Sequence, residues 1–169
     1  MTQSRLNTIL VFFSLLVLAA CHQSPDLEIK TTKIYPGVEE ALWPFFAAFE
    51  QAAADRGQHI DLAAEGITGS IEAIPNHGTV GLCNHRPEAP DHVIIDESFW
   101  QMSNRHAKEL IVFHELGHCY LGRGHNDQQR TDGTCMSIMR SGRGGCLDFY
   151  TNANRTDYLD ELYSVSEQN

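Results

Sequence analysis

The sequence predicts an α+β fold: a helix, several short strands, a second helix, an irregular stretch and a last helix. Three observations predict it. Apolar residues recur every three or four positions in the segments predicted as helices, and apolar and polar residues alternate in the short segments between them. The composition, with 42% hydrophobic and 20% charged residues in 169, is that of a globular chain with one domain.

The N-terminal segment has the pattern of a secretory signal peptide. Arg5 precedes the apolar run Ile9–Ala20, which is shorter than the roughly 20 residues of a membrane-spanning helix. The sequence LAAC that ends in Cys21 resembles the bacterial lipobox, whose cysteine is acylated and becomes the N-terminus after cleavage. The alternative is an ordinary signal peptide in which Cys21 has no role. The lipobox resemblance implies three parts: a signal peptide over 1–20, a lipidated Cys21 with a tether over 21–30, and a domain over 31–169.

A lipid anchor at Cys21 predicts a protein of the cell envelope, attached to a membrane by its lipid. No Asp follows Cys21 to indicate retention at the inner membrane, because that position is His22. In a Gram-negative cell we therefore expect the outer membrane, facing the periplasm or the surface. The formal net charge of −10 excludes electrostatic attraction to nucleic acid. We expect a monomer without a nucleic acid partner.

The first helix is predicted over Glu39–Arg56, where large apolar residues are spaced three and four apart. Pro44 lies in its first turns, where proline is tolerated, and Gly57 is a natural end. Alternating patterns bounded by glycine, proline and asparagine predict strands after it. These strands are His59–Ala63, parts of Ile67–Ile74, Thr79–Cys83 and His92–Asp96.

A second helix is predicted from a cap at Ser103 to about Leu121. The glycine-rich stretch Gly122–Tyr150 is predicted to be irregular, and a last amphipathic helix covers about Thr156–Tyr163. One stripe of the second helix carries its apolar residues and two histidines, so the histidines face the core. The stripe consists of Ala107, Leu110, Ile111, His114, His118 and Leu121.

Four cysteines remain in the exported domain, where an oxidising compartment favours disulfides. Their even number predicts two disulfides, and all three pairings are open. A zinc site made only of thiolates is not expected, because no CxxC pair occurs. The candidates are Cys83, Cys119, Cys135 and Cys146.

Residues 114–118 read HELGH, an HExxH motif. On a helix His114 and His118 lie one turn apart on the same face, so both imidazoles can bind one zinc ion. Glu115 is not a ligand in this pattern, but its carboxylate can reach a water molecule on the metal. A metal also satisfies two neutral core-facing histidines that otherwise need separate partners. The alternative is a pair of core histidines beside a surface glutamate.

The chain beyond the motif resembles the metzincin zinc peptidases, whose pattern is HExxHxxGxxH followed by a Met-turn. Gly122 and His125 preserve the Gly-x-x-His spacing but come one residue later than in the family. A 3₁₀ or π adjustment at the helix end can absorb that residue. The resemblance implies His125 as the third zinc ligand, and Asp127, at the same spacing from Gly124, is the alternative.

The segment Ser137-Ile138-Met139 resembles the metzincin Met-turn, with Met139 as its methionine and Met136 as a fallback. Ser141 stands where some family members have a tyrosine that assists the reaction. Tyr150 and Tyr158 are candidates to replace it, although we expect both to be packing residues. The segment Ser141–Gly145 is expected to be either a wall of the substrate pocket or a plain loop.

The resemblance implies a metzincin-like fold, with a small mixed sheet, an active-site helix that binds Zn²⁺, a Met-turn and a C-terminal helix. It also implies a zinc metalloendopeptidase, in which a zinc-bound water attacks a peptide carbonyl with Glu115 as general base. Peptide or protein substrates are expected to extend along an edge strand, either Val93–Asp96 or one near Thr79–Cys83. Two alternatives stay open: a non-catalytic envelope lipoprotein with a structural zinc, and a zinc amidase acting on non-protein amides.

Four further histidines are expected on the surface or in loops: His77, His85, His92 and His106.

Overall fold

The computed structural model describes residues 32–76, 78–142 and 149–164. The predicted signal peptide and tether lie outside the described residues, as do Cys21, His77 and Cys146. Within the described ranges, no helix is both long and apolar enough to cross a membrane.

The described residues form helices around one small sheet. Leu42 and Trp43 join a short 3₁₀ helix to the first α-helix without a break. The elements are the 3₁₀ helix Glu40–Leu42, α1 Trp43–Ala54, β1 Thr68–Glu72, β2 Gly81–Arg86, β3 Ala89–Asp96, α2 Glu97–Met102, α3 Arg105–Cys119 and α4 Arg155–Leu162.

The sheet has the order β1-β3-β2, with β1 parallel and β2 antiparallel to β3. Because β3 is paired on both sides, the expectation that Val93–Asp96 is an edge strand is wrong. In the described sheet β2 is an edge strand, and it packs against α3. Val80 O accepts a hydrogen bond from Asp96 N, so the backbone groups of the alternate residues Gly81 and Cys83 point away from β3.

The predicted first helix is confirmed as a 3₁₀ turn followed by α1, with Pro44 in the first turn. Its apolar spacing has the expected effect, since Leu42, Phe46 and Phe49 are fully buried. The ring of Phe49 meets that of Phe113 edge-on at a centroid distance of 5.2 Å. This contact fixes α1 against the middle of α3, one residue before the HExxH motif.

The predicted strand His59–Ala63 is wrong, because this segment leads into a turn. Asp61 Oδ1 accepts hydrogen bonds from Ala64 N at 3.1 Å and from Lys33 Nζ at 2.9 Å. A short acidic side chain that binds its own backbone three residues on favours a turn over an extended ladder. Local side-chain bonding has therefore overridden the alternating pattern.

The second predicted helix is confirmed as α3, but it begins at Arg105, so the expected cap at Ser103 is wrong, and the short helix α2 before it was not predicted. Asn104 caps α3, with its side-chain oxygen accepting a hydrogen bond from Ala107 N at 3.0 Å. Ser103 is extended backbone that follows α2. Helix α2 begins directly after β3 because Asp96 caps it, accepting a hydrogen bond from Phe99 N at 2.9 Å.

Candidate functional site

The centre of α3 buries the HExxH motif. His114 and Glu115 are 8% and 4% exposed, and His118 is half-buried. Phe113 and Leu116, on the opposite side of the helix, are fully buried in the core. The motif therefore lies on a helix that is held rigidly by packing on several sides.

Two backbone carbonyls orient the motif's imidazoles. His114 Nδ1 is 2.6 Å from Ile138 O, and His118 Nδ1 is 2.6 Å from Arg123 O. Because a carbonyl oxygen only accepts, each Nδ1 carries the hydrogen and each Nε2 presents a lone pair. Burial lowers the pKa of His114 to about 4 and also lowers the pKa of His118, which favours the neutral form of both rings.

The two lone pairs face one another, since His114 Nε2 and His118 Nε2 are 3.1 Å apart. Two acceptors at this separation repel each other unless a cation lies between them. Zn–N bonds of about 2.0–2.1 Å in a tetrahedral site place two nitrogens roughly 3.3 Å apart. The donor set and its orientation therefore fit a zinc ion.

His125 completes the cluster. One ligand atom from each of His114, His118 and His125 lies within 4.8 Å of the others. The ring of His125 is 4.8 Å from that of His118 and 5.5 Å from that of His114, centroid to centroid. Three imidazoles that converge on one point are a typical donor set for catalytic zinc.

The end of α3 shows how the extra residue before His125 is accommodated. Leu121 N bonds to Leu116 O at 3.3 Å, five residues back, and Arg123 N bonds to Gly117 O at 2.9 Å, six residues back. These bonds are wider than the i to i−4 bonds of an α-helix, so the last turn is expanded in the π sense. Gly122 has φ +63°, and this left-handed residue reverses the chain toward His125.

Asp127 is not part of the cluster, so the alternative to His125 is not supported by the geometry. The carboxylate of Asp127 accepts hydrogen bonds from Ser141 N at 2.7 Å and from Ser141 Oγ at 2.8 Å. These bonds lower the pKa of Asp127. Asp127 therefore joins the chain after His125 to the segment after Met139.

Met139 lies beneath the motif, fully buried, whereas Met136 is 38% exposed. A β-carbon on Gly117 would lie 2.5 Å from Met139 Sδ, so the methionine occupies the space that this glycine leaves. Asn126 N bonds to Met139 O at 2.9 Å, which places the chain next to His125 beside this turn. Of the two candidate methionines, Met139 is therefore the one that packs against the HExxH helix.

Glu115 lies against the backbone of β2. A β-carbon on Gly81 would be 2.8 Å from Glu115 Cγ and 2.9 Å from Glu115 Cδ, so a glycine is needed here. The backbone N–H of Cys83 donates a hydrogen bond to the carboxylate. Burial nevertheless raises the pKa of Glu115 to about 8, and a neighbouring cation would oppose that rise.

These groups share one cleft of about 440 Å³. Its walls come from residues 78–83, from α3 and from the segment 138–142, and its lining includes the three histidines and Glu115. Glu115 meets β2 whereas His114 bonds to Ile138, so the strand and the turn approach α3 from different sides. The part of Ser141–Gly145 that is described, through Gly142, contributes to this wall.

A disulfide joins Cys83 of β2 to Cys119 at the end of α3. This bond is one of the pairs that were left open, and Cys135 is disulfide-bonded as well. The Cys83–Cys119 bond links the strand that contacts Glu115 to the residue after His118. It thereby fixes the width of the cleft at the base of the motif.

The remaining candidate residues lie elsewhere or have other partners. Tyr150 OH donates to buried Glu109 at 2.5 Å and Tyr158 OH donates to Cys135 O at 3.0 Å, so both are packing residues.

The other histidines also have partners outside the cluster. His92 bonds to Thr68 and Ser70 across the sheet, and His106 bonds to Asn152. His85 lines the cleft and forms an exposed pair with Asp91 at 2.9 Å. Cys83 lies close to this pair, so that the three residues resemble a metal site, but Cys83 has no thiolate to offer because it is in the disulfide.

Arg123 is a supporting residue that the motif did not indicate. Its guanidinium binds Glu161 Oε1 at 2.6 Å and Leu162 O at 2.7 Å in α4, while its carbonyl accepts from His118. Helix α4 therefore fixes the residue that orients a candidate ligand. In the sequence, Arg123 is marked only by its position directly after Gly122, and that position alone does not indicate a supporting role.

Comparisons of this chain with family models, with curated proteins and with solved structures find no match.

Proposed function

We propose that this protein is a zinc-dependent metallopeptidase of the metzincin type, with Glu115 as its general base. The observation that carries the proposal is the pair of facing Nε2 lone pairs in a cleft that also contains His125 and a buried glutamate. A structural zinc site needs no such glutamate and has four protein ligands. Among the described residues, this cluster contains three imidazoles, which is one ligand fewer than a structural zinc site has.

Each residue has a role that follows from its position. His114, His118 and His125 would hold the metal, and the carbonyls of Ile138 and Arg123 orient the first two rings. Zinc, when bound, supplies a Lewis acid that polarises a carbonyl and makes water more acidic.

Glu115 moves the proton. Its carboxylate accepts a proton from the attacking water and delivers it to the amide nitrogen as the carbon–nitrogen bond breaks. Burial favours the protonated form of this carboxyl, whereas the Cys83 N–H favours the carboxylate that accepts the proton. Gly81 leaves the space in which the side chain lies.

Strand β2 is the candidate site for an extended substrate. Gly81 directs its N–H and C=O, and Cys83 its C=O, away from β3, while the Cys83 N–H is bonded to Glu115, and residues 79–83 line the cleft. An extended peptide added to this edge would bond to backbone groups of β2 while its scissile amide lies near Glu115. The substrate is thus proposed to be a peptide or an unfolded protein segment.

We also propose that the protein is anchored to the cell envelope through a lipid on Cys21. The LAAC sequence supports this, and the Cys83–Cys119 disulfide is typical of an exported protein.

Substitution Glu115→Gln tests the proposed reaction. We expect zinc to stay bound while kcat/KM on unfolded protein falls by about 10²–10⁴-fold, the usual contribution of a general base. The matched control is Glu97→Gln, which removes one exposed carboxylate in α2 and is expected to leave turnover as it is. Unchanged turnover in Glu115→Gln would remove this residue from its role. Stoichiometric zinc in the wild type with no cleavage of any peptide would favour the structural-zinc alternative, and turnover of non-protein amides alone would favour the amidase.

A further inference from the structure

Arg140 is a charged residue of the cleft that the proposed reaction does not use. It follows Met139 directly and is half-buried in the wall made by the segment 138–142. Among the described residues that line the cleft it is the only lysine or arginine. Since the chain has a net charge of −10, this cation stands out against an acidic protein.

Among the residues that the structure describes, the guanidinium of Arg140 has few partners. Its Nε–H is buried and meets no acceptor there, and its Nη1 donates to Asp127 O at 3.5 Å. A buried donor without an acceptor costs free energy, so a bound group that accepts a hydrogen bond from Arg140 would be favoured.

The nearest carboxylate does not fill this need. Asp127 is close enough for Arg140 to contribute to lowering its pKa, but its oxygens bond to Ser141 N and Oγ. The Asp127 carboxylate therefore gives Arg140 a nearby negative charge but forms no bidentate pair with its guanidinium. Its bonds to Ser141 position the backbone of residues 140–141. The planar donor fork of Arg140 remains available to a second carboxylate.

The surroundings of Arg140 suit a carboxylate that enters from the cleft. Leu110, Ile111 and Ile138 line the same cleft and are buried and apolar. Apolar walls exclude water and strengthen a charge-assisted hydrogen bond. Glu115 is the one acidic residue among the described residues of the lining, and it lies against β2, where the Cys83 N–H binds it.

We infer that Arg140 is a specificity residue that binds a carboxylate of the substrate, either an Asp or Glu side chain or a free C-terminus. This inference rests on the proposed peptidase function, because it names the class of peptide that the cleft selects. A purely structural role of Arg140 would instead slow the cleavage of all peptides equally.

Matched peptides provide the test. In a fluorogenic series a single Glu is moved through the positions around the scissile bond, and each peptide is paired with its Gln counterpart. A second series compares free with amidated C-termini, which separates the two sources of the carboxylate. We expect kcat/KM to favour one carboxylate position by about tenfold or more, as one charge-assisted hydrogen bond predicts.

The variant Arg140→Gln is expected to abolish this preference, with the change mainly in KM, and Arg140→Lys to retain part of it. The matched control is Lys108→Gln, which removes one positive charge where Lys108 Nζ lies over the Trp100 ring, and it should keep the wild-type ratio. Equal kcat/KM for every carboxylate and amide pair, or a preference that persists in Arg140→Gln, would overturn the inference.

Binding separates this inference from the proposed function. Labelled peptides are titrated by fluorescence anisotropy into Glu115→Gln and into Glu115→Gln/Arg140→Gln. Tighter binding of the carboxylate peptide that is lost in the double variant supports the role of Arg140, even if the wild type cleaves no peptide and the peptidase proposal fails. Cleavage without any carboxylate preference overturns only the inference, and absence of both binding and cleavage overturns both.

Discussion

Two glycines make room for the side chains of the candidate site. Gly81 leaves space for Glu115, and Gly117 leaves space for Met139. Gly117 lies in the interior of α3, where glycine costs about 0.5–1 kcal/mol relative to alanine. Overpacking a fully buried methionine costs about 1–3 kcal/mol, so glycine is the better residue here.

Substitution Gly81→Ala is expected to displace Glu115 and to lower kcat/KM about tenfold or more, while zinc stays bound. The reason is that the added methyl group would lie 2.8 Å from Glu115 Cγ, and shifts of about 1 Å in a catalytic group cost up to roughly 10²-fold. Steady-state kinetics with parallel metal analysis measures both effects. In Gly124→Ala, the control, the methyl group meets nothing within 4 Å. Full activity in Gly81→Ala would show that Glu115 does not need its position against β2.

The sequence identified the motif residues at this scale but not the residues that support them. HExxH and the following histidine are visible because their spacing is local to one helix and one turn. Gly81 makes room for a residue distant in sequence, Arg123 is held by the distant helix α4, and Arg140 joins the cleft only in the folded chain, so no local spacing marks these three residues. Asp127 was proposed from spacing alone, and its bonds to Ser141 could only be seen once two loops were brought together.

At the level of elements, the Cys83–Cys119 disulfide joins β2 to α3 across 36 residues. Removing both cysteines, as Cys83→Ala/Cys119→Ala, is expected to lower the free energy of unfolding by about 4 kcal/mol through loop-closure entropy. Urea unfolding at fixed zinc concentration measures this change. We expect activity to fall as well, because the disulfide holds β2 against α3 and the backbone N–H of Cys83 in β2 binds Glu115. An unfolding midpoint equal to that of the wild type would contradict the expectation that this disulfide stabilises the folded domain.

Helix α2 provides a pH-dependent prediction. The Ser98 hydroxyl and the N–H groups of Phe99 and Ile74 donate to Asp96, and these bonds lower its pKa to about 2. The unfolded chain therefore takes up this proton at a higher pH than the folded one. The stabilisation is complete above about pH 4, the ordinary pKa of Asp, and is lost as pH falls toward 2.

We accordingly expect Asp96→Asn to be less stable than the wild type at pH 7, with a difference that shrinks as pH falls below 4. Denaturant unfolding of both proteins between pH 7 and pH 3 measures it. A difference that stays constant over this range would mean that the charge of Asp96 is not what stabilises the start of α2.

The helices were easier to predict than the connections between them. Periodicity located α1, α3 and α4 to within a few residues, because burial of one face is a local pattern. It missed α2, whose six residues give less than two turns of pattern, and it assigned a strand to His59–Ala63, where Asp61 forms a turn. For the last turn of α3 the sequence allowed either a 3₁₀ or a π adjustment, and it did not decide between them.

For the whole molecule, the candidate site depends on three distant segments that converge on α3. Residues 78–83 position Glu115, the turn at 138–139 orients His114 and packs on Gly117, and α4 holds Arg123. The position of β2 as an edge strand follows from sheet order, which a sequence of short alternating segments does not specify. The arrangement of the candidate site could therefore be seen only in the folded chain, whereas its candidate ligands could be named from the sequence.

The metal content of the purified mature domain, loaded with zinc and dialysed, tests the central claim most directly. The wild type and Asp127→Ala are expected to retain one zinc per chain, and His125→Ala to lose it, because three imidazoles and not Asp127 form the cluster. A wild type that binds no zinc, or a His125→Ala variant that keeps it while Asp127→Ala does not, would contradict the account.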